Sequence, residues 1–164
     1  MRNYERGENL EMSVPQHLAS YVQDWKRIHQ QTVNLIKTVP DDQYEWRTCP
    51  SAMTLGELAN HLQQAETGLV HAAVNGKFPD AWPAPAANTA DLLKVFEEGH
   101  EAAVAQVSTL TPEQLEETIT PFGPDKPMTR VQLLRALHEH EIHHRAQLYT
   151  YLRILDVAVP PLFG

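Results

Sequence analysis

The sequence has little of what would assign it to a secreted protein or to a membrane. Its single cysteine, Cys49, cannot form an intramolecular disulfide, and we expect it to be a small, partly buried loop residue. The N-terminus is polar and lacks the apolar stretch of a signal peptide, and no apolar run approaches the roughly 20 residues of a membrane span. We therefore expect a cytoplasmic protein with no membrane partner.

Positive charge is also scarce in this chain. The 164 residues include 13 basic and 21 acidic side chains, which give a formal net charge of −8, and the basic residues are scattered among acidic ones. A surface of this kind repels the phosphate backbones of nucleic acids. We therefore expect no nucleic-acid partner.

Strand-like alternation, internal repeats and low-complexity segments are missing as well, whereas apolar residues at helical spacing are frequent. Four amphipathic segments follow this spacing, over residues 14–39, 54–76, 89–110 and 129–155. At the start of the second segment, Thr54 and Glu57 form the capping-box pattern in which each side chain accepts from the backbone N–H of the other. The pattern predicts an all-α protein built as a four-helix bundle.

Proline-rich stretches separate the predicted helices. Residues 78–87 contain three prolines and predict a long, irregular crossover connection between the second and third helices. Residues 121–127 are rich in proline and glycine and predict a loop long enough to shape the mouth of a site. Because no other linker divides the chain, we predict a flexible N-terminal segment, 1–13, and a single domain, 14–164.

Four of the nine histidines lie within seven residues of the last predicted helix: His138, His140, His143 and His144. The apolar stripe of this helix is defined by Leu133, Leu137, Leu148, Tyr151 and Leu155. Because a helix advances about 100° per residue, His140 and His144 fall in this stripe on successive turns, whereas the other two leave the helix about 100° or more from its centre. Two imidazoles four residues apart on one face can bind the same metal ion.

A catalytic metal site commonly has three protein ligands and one open position, so a third ligand is expected from another helix. His61 lies at the edge of the apolar stripe of the second segment, whereas His71 points away from that stripe. His29, near the centre of the apolar face of the first segment, is a rival candidate. On helical periodicity His61 is a better candidate than His71, and His29 stays open as a rival.

Two motifs of the sequence resemble those of the DinB-like family of helical bundles. Residues 53–62, Met-Thr-Leu-Gly-Glu-Leu-Ala-Asn-His-Leu, follow a Trp46-Arg47 turn and resemble the first ligand helix of that family. Residues 140–153, which begin His-Glu-Ile-His-His-Arg-Ala-Gln, resemble its second motif, with Ala146 where members often have glycine. The closing Val-Pro-Pro-Leu-Phe-Gly, 159–164, is also similar to many members.

The resemblance implies a four-helix bundle with a divalent metal ion held by His61, His140 and His144, and it implies a homodimer. Zinc or nickel is the ion that we expect, with iron as an alternative, because imidazole suits all three. Several members of the family are metal-dependent transferases that act on a low-molecular-weight thiol, so the resemblance implies a small-molecule thiol substrate. The alternatives are a metal-dependent hydrolase and a non-catalytic metal-binding protein of the stress response.

The catalytic residues are less defined than the ligands. A metal ion with an open position could lower the pKa of a substrate thiol, or it could activate a water molecule for hydrolysis. Glu141 lies beside the inward face and could orient a ligand imidazole or act as a base, although a solvated carboxylate paired with Arg145 is the alternative. A fourth protein ligand, such as His29 or Glu141, would favour a closed structural site instead.

Overall fold

Four long helices and one short helix make up most of residues 14–162, the part of the chain that this computed structural model describes. The helices are α1 (Val14–Ile36), α2 (Leu55–Asn75), α3 (Thr89–Val107), α4 (Pro112–Glu116) and α5 (Arg130–Ile154). A 3-10 turn covers Asp41–Gln43, and the two-residue strands β1 (Thr118–Ile119) and β2 (Met128–Thr129) pair antiparallel. The predicted all-α bundle is confirmed. The segment 1–13 and residues 163–164 lie outside the described residues, and the single domain over 14–164 stays a prediction.

The ends of α2 follow directly from the sequence. Thr54 Oγ1 accepts a hydrogen bond from the backbone N–H of Glu57 at 3.1 Å, and the Glu57 carboxylate accepts from the N–H of Thr54 at 2.7 Å. This capping box confirms the predicted start of the helix. Gly76 ends the helix with a φ of 80°, a left-handed conformation that glycine adopts without strain.

The crossover between α2 and α3 packs against α2. The side-chain amide of Asn60 donates to the carbonyl of Ala86 at 3.1 Å and accepts from its N–H at 2.7 Å. Further along the helix, the Trp82 ring lies so close to Gly68 that a Cβ at Gly68 would be 2.3 Å from it. These contacts hold the crossover beside the face of α2 that carries His61.

The bundle core consists of two apolar clusters with a layer of buried polar side chains between them. One cluster includes Trp25, Val70, Ala103 and Leu137, and the other includes Val33, Leu62, Phe96 and Leu148. On each of the four long helices, buried polar residues lie between the residues of the two clusters: His29 and Thr32 on α1, Glu66 on α2, His100 on α3, and Glu141 and Arg145 on α5. We call these six residues the polar layer.

The buried stripe of α5 differs from the predicted one. Its central row is Leu137, Glu141, Arg145, Leu148 and Leu152, all of them buried, whereas His140 and His144 are half-buried at its edge. The prediction that these two histidines lie in the stripe was wrong by about one residue. Periodicity misplaced the stripe because it treated Glu141 and Arg145 as surface residues.

Two further expectations concern exposure. Cys49 is exposed, not partly buried as expected, because residues 47–51 of the loop before α2 are all exposed. Among the residues that the structure describes, no helix is long and apolar enough to cross a membrane.

Candidate metal centre

His61 on α2 and His140 and His144 on α5 come together between the two helices. The Nε2 atoms of His61 and His140 are 3.2 Å apart, and the His144 ring lies 4.5 Å from that of His61 and 4.3 Å from that of His140, measured between centroids. One nitrogen from each ring lies within 4.8 Å of the others. Three imidazoles on two rigid helices thus converge on one point. We call them the three-histidine group.

Gln147 orients one imidazole of this group. Its Oε1 lies 2.8 Å from Nδ1 of His144, and since a carbonyl oxygen only accepts, His144 carries its proton on Nδ1. The lone pair is then on Nε2, which is free to act as a ligand. The amide nitrogen of Gln147 is 3.2 Å from Nε2 of His143, so the same side chain also holds that neighbouring ring.

The electrostatic environment keeps the three imidazoles neutral near pH 7. Burial, with the charge of His144 and the other nearby histidines, lowers the pKa of His140 to about 4. Burial also lowers the pKa of His61, with a second contribution from His144. The pKa of His144 is lowered by burial as well, although the hydrogen bond that it donates to Gln147 opposes the shift. Neutral imidazoles offer the lone pairs that metal binding requires.

The other two clustered histidines lie outside the three-histidine group. His138 stacks on Tyr21 of α1, with ring centroids 4.1 Å apart and planes 5° from parallel. His143 is exposed and contacts Gln147. Their positions agree with the helical argument that separated them from His140 and His144.

Glu141 and Arg145 do not form the solvated pair that the sequence suggested as an alternative. Glu141 is buried and accepts a hydrogen bond from the Thr32 hydroxyl at 2.5 Å. Burial raises its pKa to about 7, although the Thr32 hydrogen bond opposes the shift. Arg145 is also buried, and it donates to the Ile28 carbonyl and to Gln31 Oε1, each at 3.0 Å. Within the described residues Glu141 has no hydrogen bond to an imidazole of the three-histidine group, whereas Gln147 accepts one from His144.

His29, the rival third ligand, belongs to a second, fully buried cluster. It lies with His100 of α3 around the carboxylate of Glu66, away from the three-histidine group. The sequence analysis missed Glu66. Its position four residues after Leu62, on the apolar face of α2, was the signal that could have identified a buried carboxylate.

A surface groove of about 500 Å³ lies beside the three-histidine group, between the loop before α2 and the crossover. His61 lines it together with Arg47, Met53, Asn60, Gln64 and Pro85, among others. The loop 121–127, which was expected to shape the mouth of the site, is not part of this groove. Phe122 of that loop packs instead against Phe78, with ring centroids 5.1 Å apart.

The helical bundle and the three converging imidazoles define a class of protein: bundles with a candidate three-histidine centre between two helices. The chain belongs to the DinB superfamily, whose family model matches residues 24–148. A relative, the uncharacterized protein YjoA of Bacillus subtilis (strain 168), is 27% identical over 135 residues, which cover 80% of this chain and 86% of the relative.

Solved structures of DinB-like proteins share the fold. The crystal structure of YjoA from Bacillus subtilis superposes with a TM-score of 0.71 at 24% identity and covers 87% of this chain and 96% of that one. A DinB-like protein from Bacillus cereus ATCC 10987 gives a TM-score of 0.75 at 21% identity, with 87% and 95% covered. A DinB-family protein from Exiguobacterium sibiricum 255-15 gives 0.70 at 19% identity, with 93% and 99% covered.

Because Arg145 donates hydrogen bonds to two residues of α1, we expect removal of its guanidinium to destabilise the protein. We expect Arg145→Met to lower the free energy of unfolding by about 2 kcal/mol, because two hydrogen bonds from a buried cation are lost and Oε1 of Gln31 loses its donor. The exposed Arg135 on the same helix is the matched control, and Arg135→Met is expected to stay within about 0.5 kcal/mol of the parent. Urea denaturation measures both. Equal values for the two variants would contradict the structural role of Arg145.

Proposed function

We propose that His61, His140 and His144 bind a divalent metal ion, zinc or nickel in the first place, and that the protein is a metal-dependent transferase acting on a low-molecular-weight thiol. The observation that carries the proposal is the convergence of three neutral imidazoles between α2 and α5. Three imidazoles are a ligand set that suits zinc, nickel or iron.

The spacing of the ligand atoms supports the first half of the proposal. Zinc–nitrogen bonds of about 2.0–2.1 Å in a tetrahedral site place the ligand nitrogens about 3.3 Å apart. The 3.2 Å between Nε2 of His61 and Nε2 of His140 fits this separation. The Gln147 hydrogen bond fixes His144 in the tautomer whose Nε2 lone pair is available to the ion.

The partial exposure of the three-histidine group favours a catalytic metal ion over a purely structural one. All three histidines are half-buried, so small molecules can reach them from solvent. Among the described residues no further His, Cys, Asp or Glu joins the group, and neither His29 nor Glu141 provides the fourth ligand of a closed structural site. An open position would therefore be available to a substrate.

The groove beside His61 supports the substrate class. When bound, the ion would act as a Lewis acid that lowers the pKa of a thiol. Arg47 in the groove offers a guanidinium to an anionic group of the substrate, and Gln64 offers a polar side chain. The reaction would be a substitution, in which the thiolate sulfur forms a bond to an electrophilic carbon and the leaving group departs with its electron pair.

A hydrolase and a non-catalytic metal-binding protein of the stress response remain the competing functions. The same open centre would serve hydrolysis if its substrate carried a scissile ester or amide bond. Binding without catalysis would leave the groove without a substrate, and Arg47 would then be only a surface residue.

Metal stoichiometry of single variants tests the ligand assignment. We expect His61→Ala, His140→Ala and His144→Ala each to release about one ion per chain, because each removes one of three ligands. His143→Ala and His138→Ala are the matched controls and should keep the full stoichiometry, since both rings lie outside the group. Mass spectrometry of the metal in protein purified without a nickel column gives the numbers.

Gln147 provides a graded test of the same centre. Gln147→Ala should weaken metal affinity by about 10–100-fold without abolishing it, because it removes a hydrogen bond to a ligand and not the ligand itself. In the alanine series described above, loss of the ion from His143→Ala together with its retention by His144→Ala would contradict the ligand assignment.

A thiol-transfer assay tests the proposed reaction. Zinc-loaded or nickel-loaded protein should accelerate the reaction of monobromobimane with at least one thiol of a panel containing cysteine, glutathione, coenzyme A and bacillithiol. His144→Ala should lose the acceleration and His143→Ala should keep it. Full metal occupancy with no acceleration for any thiol, together with ester hydrolysis by the same protein, would favour the hydrolase.

We also propose that the protein forms a homodimer. Trp82, Ile142 and Ile154 leave large apolar side chains exposed, between 45% and 59% of each, and two of them lie on α5. Sedimentation should give twice the chain mass of 18.6 kDa, and Ile142→Glu combined with Ile154→Glu should shift it toward the single-chain value. A mass near 18.6 kDa for the parent at micromolar concentration would refute the dimer.

A further inference from the structure

A second cluster of metal-ligand side chains lies inside the polar layer, where α1, α2 and α3 meet. His29, Glu66 and His100 are each at least 94% buried, with exposed fractions of 6%, 4% and 6%. One nitrogen from each imidazole and one carboxylate oxygen lie within 4.8 Å of one another. The three residues come from three different helices, and none of them belongs to the three-histidine group.

Both imidazoles direct Nδ1 at the same oxygen. Nδ1 of His100 lies 3.1 Å from Oε2 of Glu66, and Nδ1 of His29 lies 3.6 Å from it. These separations bracket the value of about 3.3 Å between neighbouring ligands of a tetrahedral zinc ion. The imidazole and carboxylate donors are those that bind divalent transition metals in catalytic and structural sites.

Two nitrogen atoms of the cluster have no hydrogen-bond partner. Nδ1 of His29 and Nε2 of His100 are buried without a hydrogen-bond partner. Buried polar atoms without partners are rare in folded proteins, because each costs free energy. A metal ion coordinated by both Nδ1 atoms would satisfy His29.

Trp25 supports the Glu66 carboxylate from α1. Its indole N–H donates to the same Oε2 at 3.1 Å, as a supporting hydrogen bond for a metal-ligating carboxylate would.

An entry path reaches the cluster from the opposite side of α2 to the three-histidine group. His29 and His100 line a groove of about 740 Å³ between α1 and α3, with Glu97, Glu101 and Lys26 at its rim. Two exposed carboxylates and one ammonium leave this rim net negative, which attracts cations. His61 and Glu66 are five residues apart, so their side chains leave α2 about 140° apart.

We propose that His29, Glu66 and His100 form a second binding site for a divalent transition-metal ion, buried in the polar layer and independent of the three-histidine group. The two imidazole rings stack with centroids 3.6 Å apart and planes 8° from parallel, so they must tilt apart for both lone pairs to meet one ion. A tilt of His100 would also change its edge contact with Trp25, whose ring centroid lies 4.8 Å away. An ion at this site joins three helices and stabilises the bundle.

The test uses full-length protein in which the three-histidine group is removed by His61→Ala and His144→Ala. This double variant is loaded with Zn²⁺ or Co²⁺ and passed through a desalting column, and the retained metal is counted by mass spectrometry. We expect about one ion per chain, a rise in melting temperature with Zn²⁺, and visible absorption typical of Co²⁺ in a site of low coordination number. A double variant that retains no ion overturns the proposal, whatever the parent protein binds.

Added substitutions assign the ion to its ligands. Glu66→Gln in the double-variant background keeps an acceptor for the Trp25 indole and should release the ion, as should His100→Ala. His71→Ala, which removes a half-buried histidine of α2 that contacts the Lys77 carbonyl and belongs to neither cluster, is the matched control and should keep it. Circular dichroism verifies that each variant is folded. Retention of the ion by folded Glu66→Gln and folded His100→Ala would overturn the assignment.

Discussion

A carboxylate that is buried away from water needs an opposite charge or hydrogen bonds to stabilise it. This bundle buries two glutamate side chains, Glu66 and Glu141, between its helices. Glu66 on α2 accepts a hydrogen bond from the indole N–H of Trp25 on α1 and contacts His100 on α3. Glu141 on α5 accepts a hydrogen bond from the hydroxyl of Thr32 on α1. Because each partner comes from another helix, a shift of any helix by one turn would leave a buried carboxyl group without its hydrogen-bond partner. The polar layer therefore fixes the register in which the four long helices pack.

This register places the candidate metal centre. With Glu141 and Arg145 in the buried row of α5, His140 and His144 lie about 100° further round, at the edge that faces α2. There they meet His61, and the histidines remain half-buried. A group at the edge of the core is open to small molecules, whereas the side chains of the polar layer are buried. The polar layer and the three-histidine group therefore depend on the same alignment of α5.

Much of the fold was predictable because local signals are strong in this sequence. Helical spacing of apolar residues, the Thr54 and Glu57 capping box and Gly76 located the helices to within a few residues of their observed ends. The pairing of Thr118 and Ile119 with Thr129 and Met128 was not predicted, since two-residue strands carry no periodicity. The buried row of α5 was also misplaced, because a charged residue in a helix is normally on the surface.

For the candidate site, the sequence by itself determined which imidazoles share a face. His140 and His144 are four residues apart and His143 is not on their side, and this follows from helix geometry alone. Only the tertiary structure decided that His61, not His29, joins them, that Gln147 orients one ring, and that Glu66 lies between two other histidines. The physical reason is that spacing along one helix is local, whereas the meeting of side chains from different helices depends on how buried charges and apolar surfaces are satisfied together.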